Sequence, residues 1–168
     1  MKALVSLLAC TALESALACA PAVERQPAER RSVVLIVLDD IGAEQIACHP
    51  SAIPGPPPTP TIGALAAEGL SFTNAWGAPR CSPARACLLT GRFPFRTGVG
   101  DIVQPGATYG LPDKEVTIAE RVAARGYRTA MFGKWHLSLD PESPCDQGFE
   151  VFTGTPGNIE HARDYWEW

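Results

Sequence analysis

Residues 33–38 read V-V-L-I-V-L, an unbroken apolar run dominated by β-branched side chains. A continuous run, as opposed to an alternating one, predicts a strand covered on both faces, as in a parallel sheet, and it ends at Asp39-Asp40. Residues 54–60, P-G-P-P-P-T-P, predict a rigid extended loop, because each proline fixes its own φ and pushes the residue before it out of the helical region. Thr59 then reads as an N-cap, with Pro60 at the first helical position, Ile62, Leu65 and Ala66 on one face, and Gly69 as the stop. A second strand is expected over 70–75. Ser82 and Pro83 read as the cap and first residue of a helix running to Leu89 or Thr90 and ended by Gly91. Thr117-Ile118-Ala119-Glu120 is a capping box that opens a helix with Arg121 and Arg125 in its last turns and Gly126 at its end. A third strand is expected over 128–132. The succession of strands and helices predicts an α/β layered fold.

Ahead of these elements, residues 1–18 begin Met1-Lys2 and continue with an apolar run too short to span a bilayer. With Ala16-Leu17-Ala18 as a cleavage site they read as a signal peptide, so export to a periplasmic or extracellular location is expected. A second reading stays open, in which Cys19 is the lipidated first residue of a membrane-anchored lipoprotein. Residues 19–31 are polar and Pro-containing and read as a flexible tether. Residues 32–168 form the remaining domain.

Composition narrows the classes. The chain has 168 residues, 46% of them apolar, which suits a single core. Its 14 basic and 18 acidic residues leave a net charge of −4, which offers no long-range attraction for nucleic acid or for an anionic membrane. An anionic ligand must therefore be held by a local site. The six cysteines (10, 19, 48, 81, 87 and 145) include no C-x-x-C pair, which argues against a zinc ribbon or a thioredoxin-type centre. Cys48 and Cys145 either pair in an oxidising compartment or serve as two small buried hydrophobes.

Three stretches carry chemistry. In C-S-P-A-R-A-C-L-L-T-G-R, residues 81–92, Cys81 falls at the positive end of a helix, where backbone N–H groups bind anions, and Arg85 adds a fixed charge one turn in. Asp39-Asp40 places two hard carboxylates at a strand's carboxyl end, where open α/β sheets hold ligands and where Ca²⁺ finds suitable donors. Gly133-Lys134-Trp135-His136 follows the third expected strand. If it stays extended, Lys134 and His136 project to one side and Trp135 to the other. A cysteine-phosphatase loop is excluded by spacing, because it needs C-x-x-x-x-x-R. Arg85 lies only four residues after Cys81, and Arg92 five after Cys87.

The pattern C-x-P-x-R followed by L-T-G-R closely resembles the signature of the type I sulfatases, arylsulfatase A-like, in which the cysteine is oxidised to formylglycine. Asp39-Asp40 resembles the metal-binding pair of that family and Gly133 to His136 its G-K-W-H. The linking segments T-P-T-I-G-A-L-A-A-E-G-L, L-P-D-K-E-V-T-I-A-E-R and G-F-E-V-F-T-G also resemble theirs, over roughly residues 33–154. The resemblance implies an alkaline-phosphatase-like three-layer sandwich with a mostly parallel central sheet. It implies hydrolysis of sulfate esters of an aryl or sugar alcohol by hydrated formylglycine at position 81, one hydroxyl of which attacks sulfur. Arg85, Lys134 and His136 are the implied catalytic partners, and Asp39, Asp40 and residue 81 the implied Ca²⁺ ligands. The implied partners are a sulfate ester and a formylglycine-generating enzyme, with no nucleic acid and with membrane contact only through the lipid anchor. His49 and His161 match no catalytic position, and Gly63 stands where the family usually has Asp. The second Asp-Asn metal pair, a further His and a further Lys of the family fall beyond Trp168. The chain is thus expected to be an N-terminal portion with an incomplete sandwich. Two alternatives remain: a phosphonate or phosphodiester hydrolase with the same nucleophile, and a non-catalytic remnant.

Overall fold

A computed structural model describes residues 31–158. The expected signal at 1–18 with Cys10, Cys19 beyond it, nearly all of the 19–31 tether and His161 lie outside the described residues. After a short 3-10 turn at Ala43–Gln45 come α1 (Pro60–Glu68), α2 (Cys81–Thr90), α3 (Pro94–Thr97), α4 (Ile118–Ala123), β1 (Ala130–Lys134), α5 (Ser143–Asp146) and β2 (Val151–Thr155). No described helix is long and apolar enough to cross a membrane.

β1 and β2 pair in parallel, Ala130 opposite Val151 through Lys134 opposite Thr155. A parallel pair needs a crossover of a dozen or more residues, and the α5 segment supplies it. The result is a small parallel α/β unit, an incomplete part of the expected sandwich. The third strand starts and ends two residues later than its sequence pattern predicts. Thr129 is spent on anchoring, since its hydroxyl donates to the Gly148 carbonyl at 2.7 Å and its own carbonyl accepts from Val151. β2 lies in a segment the pattern left without an element.

Two expected strands do not form. Residues 33–38 carry no strand, and Val33, Val34 and Ile36 are 79%, 81% and 73% exposed. Residues 70–75 likewise form none, with Leu70 and Phe72 exposed. A strand satisfies its backbone only by pairing, and among the described residues neither segment has a ladder partner. Neither alternative for Cys48 and Cys145 holds: both thiols are free and exposed, so they are neither paired nor buried.

The helices keep their sequence signals more closely. α1 starts at Pro60 after Thr59 and stops at Gly69. α2 begins two residues earlier than expected, with Arg80 as N-cap, so Ser82 is inside the helix and does not cap it. Gly91 closes α2 in the left-handed conformation at φ 68, where a side chain would be strained. At α4 both capping-box bonds form: Thr117 Oγ1 accepts from Glu120 N–H, and Glu120 Oε2 accepts from Thr117 N–H.

The core gathers Ala86 and Leu89 of α2, Val99, Val103 and Leu111 of the loop that follows, and Trp135 and Leu137 just past β1. Trp135 is fully buried, meets Phe149 edge-on at 6.2 Å between ring centroids, and donates its indole N–H to Ser143 Oγ. Leu111 N–H donates to the Leu137 carbonyl at 2.8 Å. A Cβ on Gly110 would lie 2.6 Å from that same oxygen, so only glycine lets the two loops approach. This core fixes α2 against the end of β1, and the candidate site lies where they meet.

Candidate active site

One wall of the site is the first turn of α2. Cys81 is its first residue, half-buried, at the end where unpaired backbone N–H groups and the helix dipole favour negative charge. Arg85, one turn on, is largely buried. Its Nη1 donates to the Lys134 carbonyl and its Nη2 lies 3.5 Å from Asp39 Oδ1, while its Nε has no partner.

The second wall is the end of β1. Lys134 is 7% exposed and its ammonium donates to Asp39 Oδ2 at 2.7 Å. The expectation of an extended G-K-W-H with two residues facing one way does not hold past Lys134. Pairing with the β2 side continues through Trp135 N–H to Thr155 O and His136 N–H to Pro156 O, but His136 has φ 58 and turns the chain out of the strand. Alternation ends at such a residue, so the facing of Lys134 and His136 is set by separate contacts. Trp135 is buried in the core. His136 is 1% exposed and its Nδ1 has no partner.

The third component is the Asp39-Asp40 turn. Among the described residues the non-glycine positions with positive φ are Asp40, at 55, and His136, so both bends fall at the site. Ligand atoms of Asp39, Asp40 and Cys81 all lie within 4.8 Å of one another. Sequence neighbours 39 and 40 thus meet a helix start and a strand end, and all six residues expected to act together do converge.

Electrostatics follow from these contacts. Partial burial pushes the Asp39 carboxyl up, but the Lys134 hydrogen bond and the Arg85 and Lys134 charges outweigh it and hold the group below its ordinary 3.8. Burial lowers His136 below its ordinary 6.5, helped by the nearby Lys134 and Arg85 charges and opposed by a backbone hydrogen bond with Val103 and by Asp39. His136 is therefore neutral at neutral pH. Burial also raises the Cys87 thiol, which leaves it an inert neighbour. His49 bonds Ser51 Oγ through Nδ1 at 2.7 Å as a local turn contact.

The donor set fits a hard divalent cation in part. Two carboxylates suit Ca²⁺, whereas the Cys81 thiol is a soft donor and matches only once an oxygen replaces sulfur. Sequence reasoning missed two groups that border the site: Ser82, whose hydroxyl is tied to Val103, and the Arg80–Asp101 ion pair. No pattern in residues 98–110 announces such contacts, since they involve backbone atoms and single side chains.

A family model described as Sulfatase matches residues 31–167. Human arylsulfatase A is 46% identical over 148 residues, covering 84% of this chain and 27% of its own length. Mouse steryl-sulfatase is 35% identical over 175 residues, covering 95% of this chain and 28% of its own. The chain spans about a quarter of the length of these curated relatives. Among solved structures, PsFucS1 sulfatase from Pseudoalteromonas sp. superposes with a TM-score of 0.54 at 39% identity, over 60% of this chain and 21% of that one.

Proposed function

The chain belongs to the sulfatase family, and on that premise we propose that it carries the nucleophile half of a sulfuric ester hydrolase acting on sulfate monoesters through formylglycine made from Cys81. The observation that carries this reading is the convergence of Cys81, Asp39 and Asp40 within 4.8 Å, with the Arg85 and Lys134 cations on Asp39. Asp39, Asp40 and the oxygen of the converted residue 81 would hold Ca²⁺, which when bound supplies positive charge against the sulfuryl oxygens.

Charge balance supports a cation there. Two carboxylates and two basic side chains cancel, so the bare cluster has no net pull on an anion. With a divalent ion held by Asp39 and Asp40, Arg85 and Lys134 would be free to face a sulfate group, for which the unpartnered Arg85 Nε and His136 Nδ1 offer further polar atoms. Arg85, held at Nη1 by the Lys134 carbonyl, orients one sulfate oxygen, and Lys134 acts as a point charge on another. Neutral His136 accepts or returns a proton at the nucleophile's hydroxyl.

The reading includes export, by either a cleaved signal or a lipid on Cys19, and conversion of Cys81 by a formylglycine-generating enzyme. Peptide mass spectrometry after co-expression with that enzyme should find the aldehyde at residue 81. A full-length sulfatase that carries this segment, once matured, should hydrolyse p-nitrophenyl sulfate faster than a phosphodiester, and its Cys81→Ala variant should do neither. An unmodified thiol at residue 81, in a host that matures a control sulfatase, would overturn the proposal. Faster diester hydrolysis would replace it with a phosphonate or phosphodiester hydrolase. On the acid side, rate should fall as His136 takes up its proton, with a midpoint below its ordinary 6.5 because burial and cations lower it.

A further inference from the structure

Resting on that reading of the site, we propose that residues 101–103 form a positioning strap that ties both neighbours of residue 81 to His136, with Ser82 as its buried anchor. The two walls of the site come from distant parts of the sequence, and a nucleophile and its proton carrier must be held at a fixed separation to work together. Four hydrogen bonds hold the strap, and the packing of Val103 links it to the second wall. Arg80 Nη1 donates to Asp101 Oδ1 at 2.7 Å, and the same oxygen accepts from Ile102 N–H at 2.7 Å. The Tyr109 hydroxyl donates to the Ile102 carbonyl at 2.7 Å. Val103 N–H donates to Ser82 Oγ at 3.0 Å. Val103, 2% exposed, in turn belongs to the same buried core cluster as Trp135 and Leu137, the two residues that flank His136.

Ser82 is the informative member. A serine at its place in the sequence would ordinarily cap the helix, but Arg80 holds that position, which leaves the Ser82 hydroxyl available. It is fully buried, and a buried hydroxyl costs stability unless bonded, so its bond to Val103 is a built contact. The Arg80–Asp101 pair is more than half exposed on both sides and adds orientation more than energy. Because Ser82 adjoins residue 81 and Val103 packs in the core that flanks His136, displacing Val103 moves the proton carrier relative to the nucleophile while leaving both groups chemically intact. Ser82 is thus a positioning residue that touches no substrate.

The test uses a full-length sulfatase that carries this segment with residue 81 converted, and all rates are taken per aldehyde counted by mass spectrometry. Ser82→Ala should lower kcat about tenfold with KM for p-nitrophenyl sulfate unchanged, and Ser82→Thr, which keeps the hydroxyl, should restore it. Independently of activity, the ring NMR signal of His136, assigned by its loss in His136→Gln, should shift in Ser82→Ala and return in Ser82→Thr, while that of His49 stays fixed. Tyr109→Phe removes one strap contact from a partly exposed residue without disturbing the core, and should shift the same signal less. An unmoved His136 signal in Ser82→Ala, or in Tyr109→Phe should the alanine variant not fold, overturns the strap. Absence of turnover in the wild type would count against the hydrolase reading alone, because the ring signal still decides the strap.

Discussion

Residues 59–76 and residues 117–137 carry the same succession of features: a threonine ahead of a helix, a glycine behind it, and an apolar run beyond. In the first region α1 buries no residue, Leu65 is exposed, and Leu70, Phe72 and Trp76 are 88%, 76% and 95% exposed. In the second, Thr117 and Ala119 are buried, β1 pairs with β2, and the chain runs on into Trp135, His136 and Leu137, all at or near zero exposure. What separates them is the availability of a partner. Thr117 Oγ1 donates to the Gln147 carbonyl at 2.6 Å, and Thr153 and its neighbours supply the ladder for β1. Local signals of equal quality thus yield a docked element only where another segment meets them, because helical stability in proteins comes mostly from packing.

The largest test of this contrast is Trp135→Ala set against Phe72→Ala. The tryptophan touches Phe149 and Ser143 inside the core, so its loss should cost about 3 to 5 kcal/mol, while the exposed phenylalanine should cost under about 0.5 kcal/mol. Urea unfolding measures both. Equal costs would show that the second region is not the better anchored.

Next in size is the functional consequence. Lys134, delivered by the second region, holds Asp39 at 2.7 Å; on the proposed reading, Lys134→Ala in a full-length sulfatase carrying this segment should lower turnover by about 10²- to 10³-fold with the fold retained, as loss of a charge facing the transition state does. Retained turnover in a folded variant would mean that Lys134 serves Asp39 and not the substrate. Substituting Leu65, which faces solvent, should leave turnover unchanged.

The same contrast explains what the sequence made readable. The α1 limits, the start of α4 and the Gly91 stop follow from residues within a few positions of each other, so they were legible, whereas α4 ends at Ala123, before the expected Arg125 and Gly126. The convergence of Asp39, Arg85 and Lys134 was legible only through the three motifs taken together, since nothing in the Asp39-Asp40 pair itself points to Lys134. Strands fared worse. The run 33–38 states that it would suit a doubly covered strand but not what covers it, and β2 went unnoticed because Val151 to Thr155 lacks a strong apolar pattern. The turn at His136 was invisible, as histidine in the left-handed region leaves no local trace. Ser82 was read as a cap because its type suits one; its burial against Val103, a tertiary fact, decided otherwise.

The smallest effect distinguishes the two threonines directly. Thr117 makes both the cap bond to Glu120 N–H and the bond to the Gln147 carbonyl, so Thr117→Ala should destabilise by about 2 kcal/mol. Thr59 stands in the equivalent place before α1, yet its side chain makes no cap bond and accepts instead from Ala47 N–H at 3.2 Å on the exposed surface. Water replaces such a bond readily, so Thr59→Ala should change stability by less than about 0.5 kcal/mol. Paired thermal melts of the two variants give the comparison. If Thr59→Ala cost as much as Thr117→Ala, α1 would be docked as firmly as α4, and the difference between the regions could not be assigned to the partner that Gln147 provides.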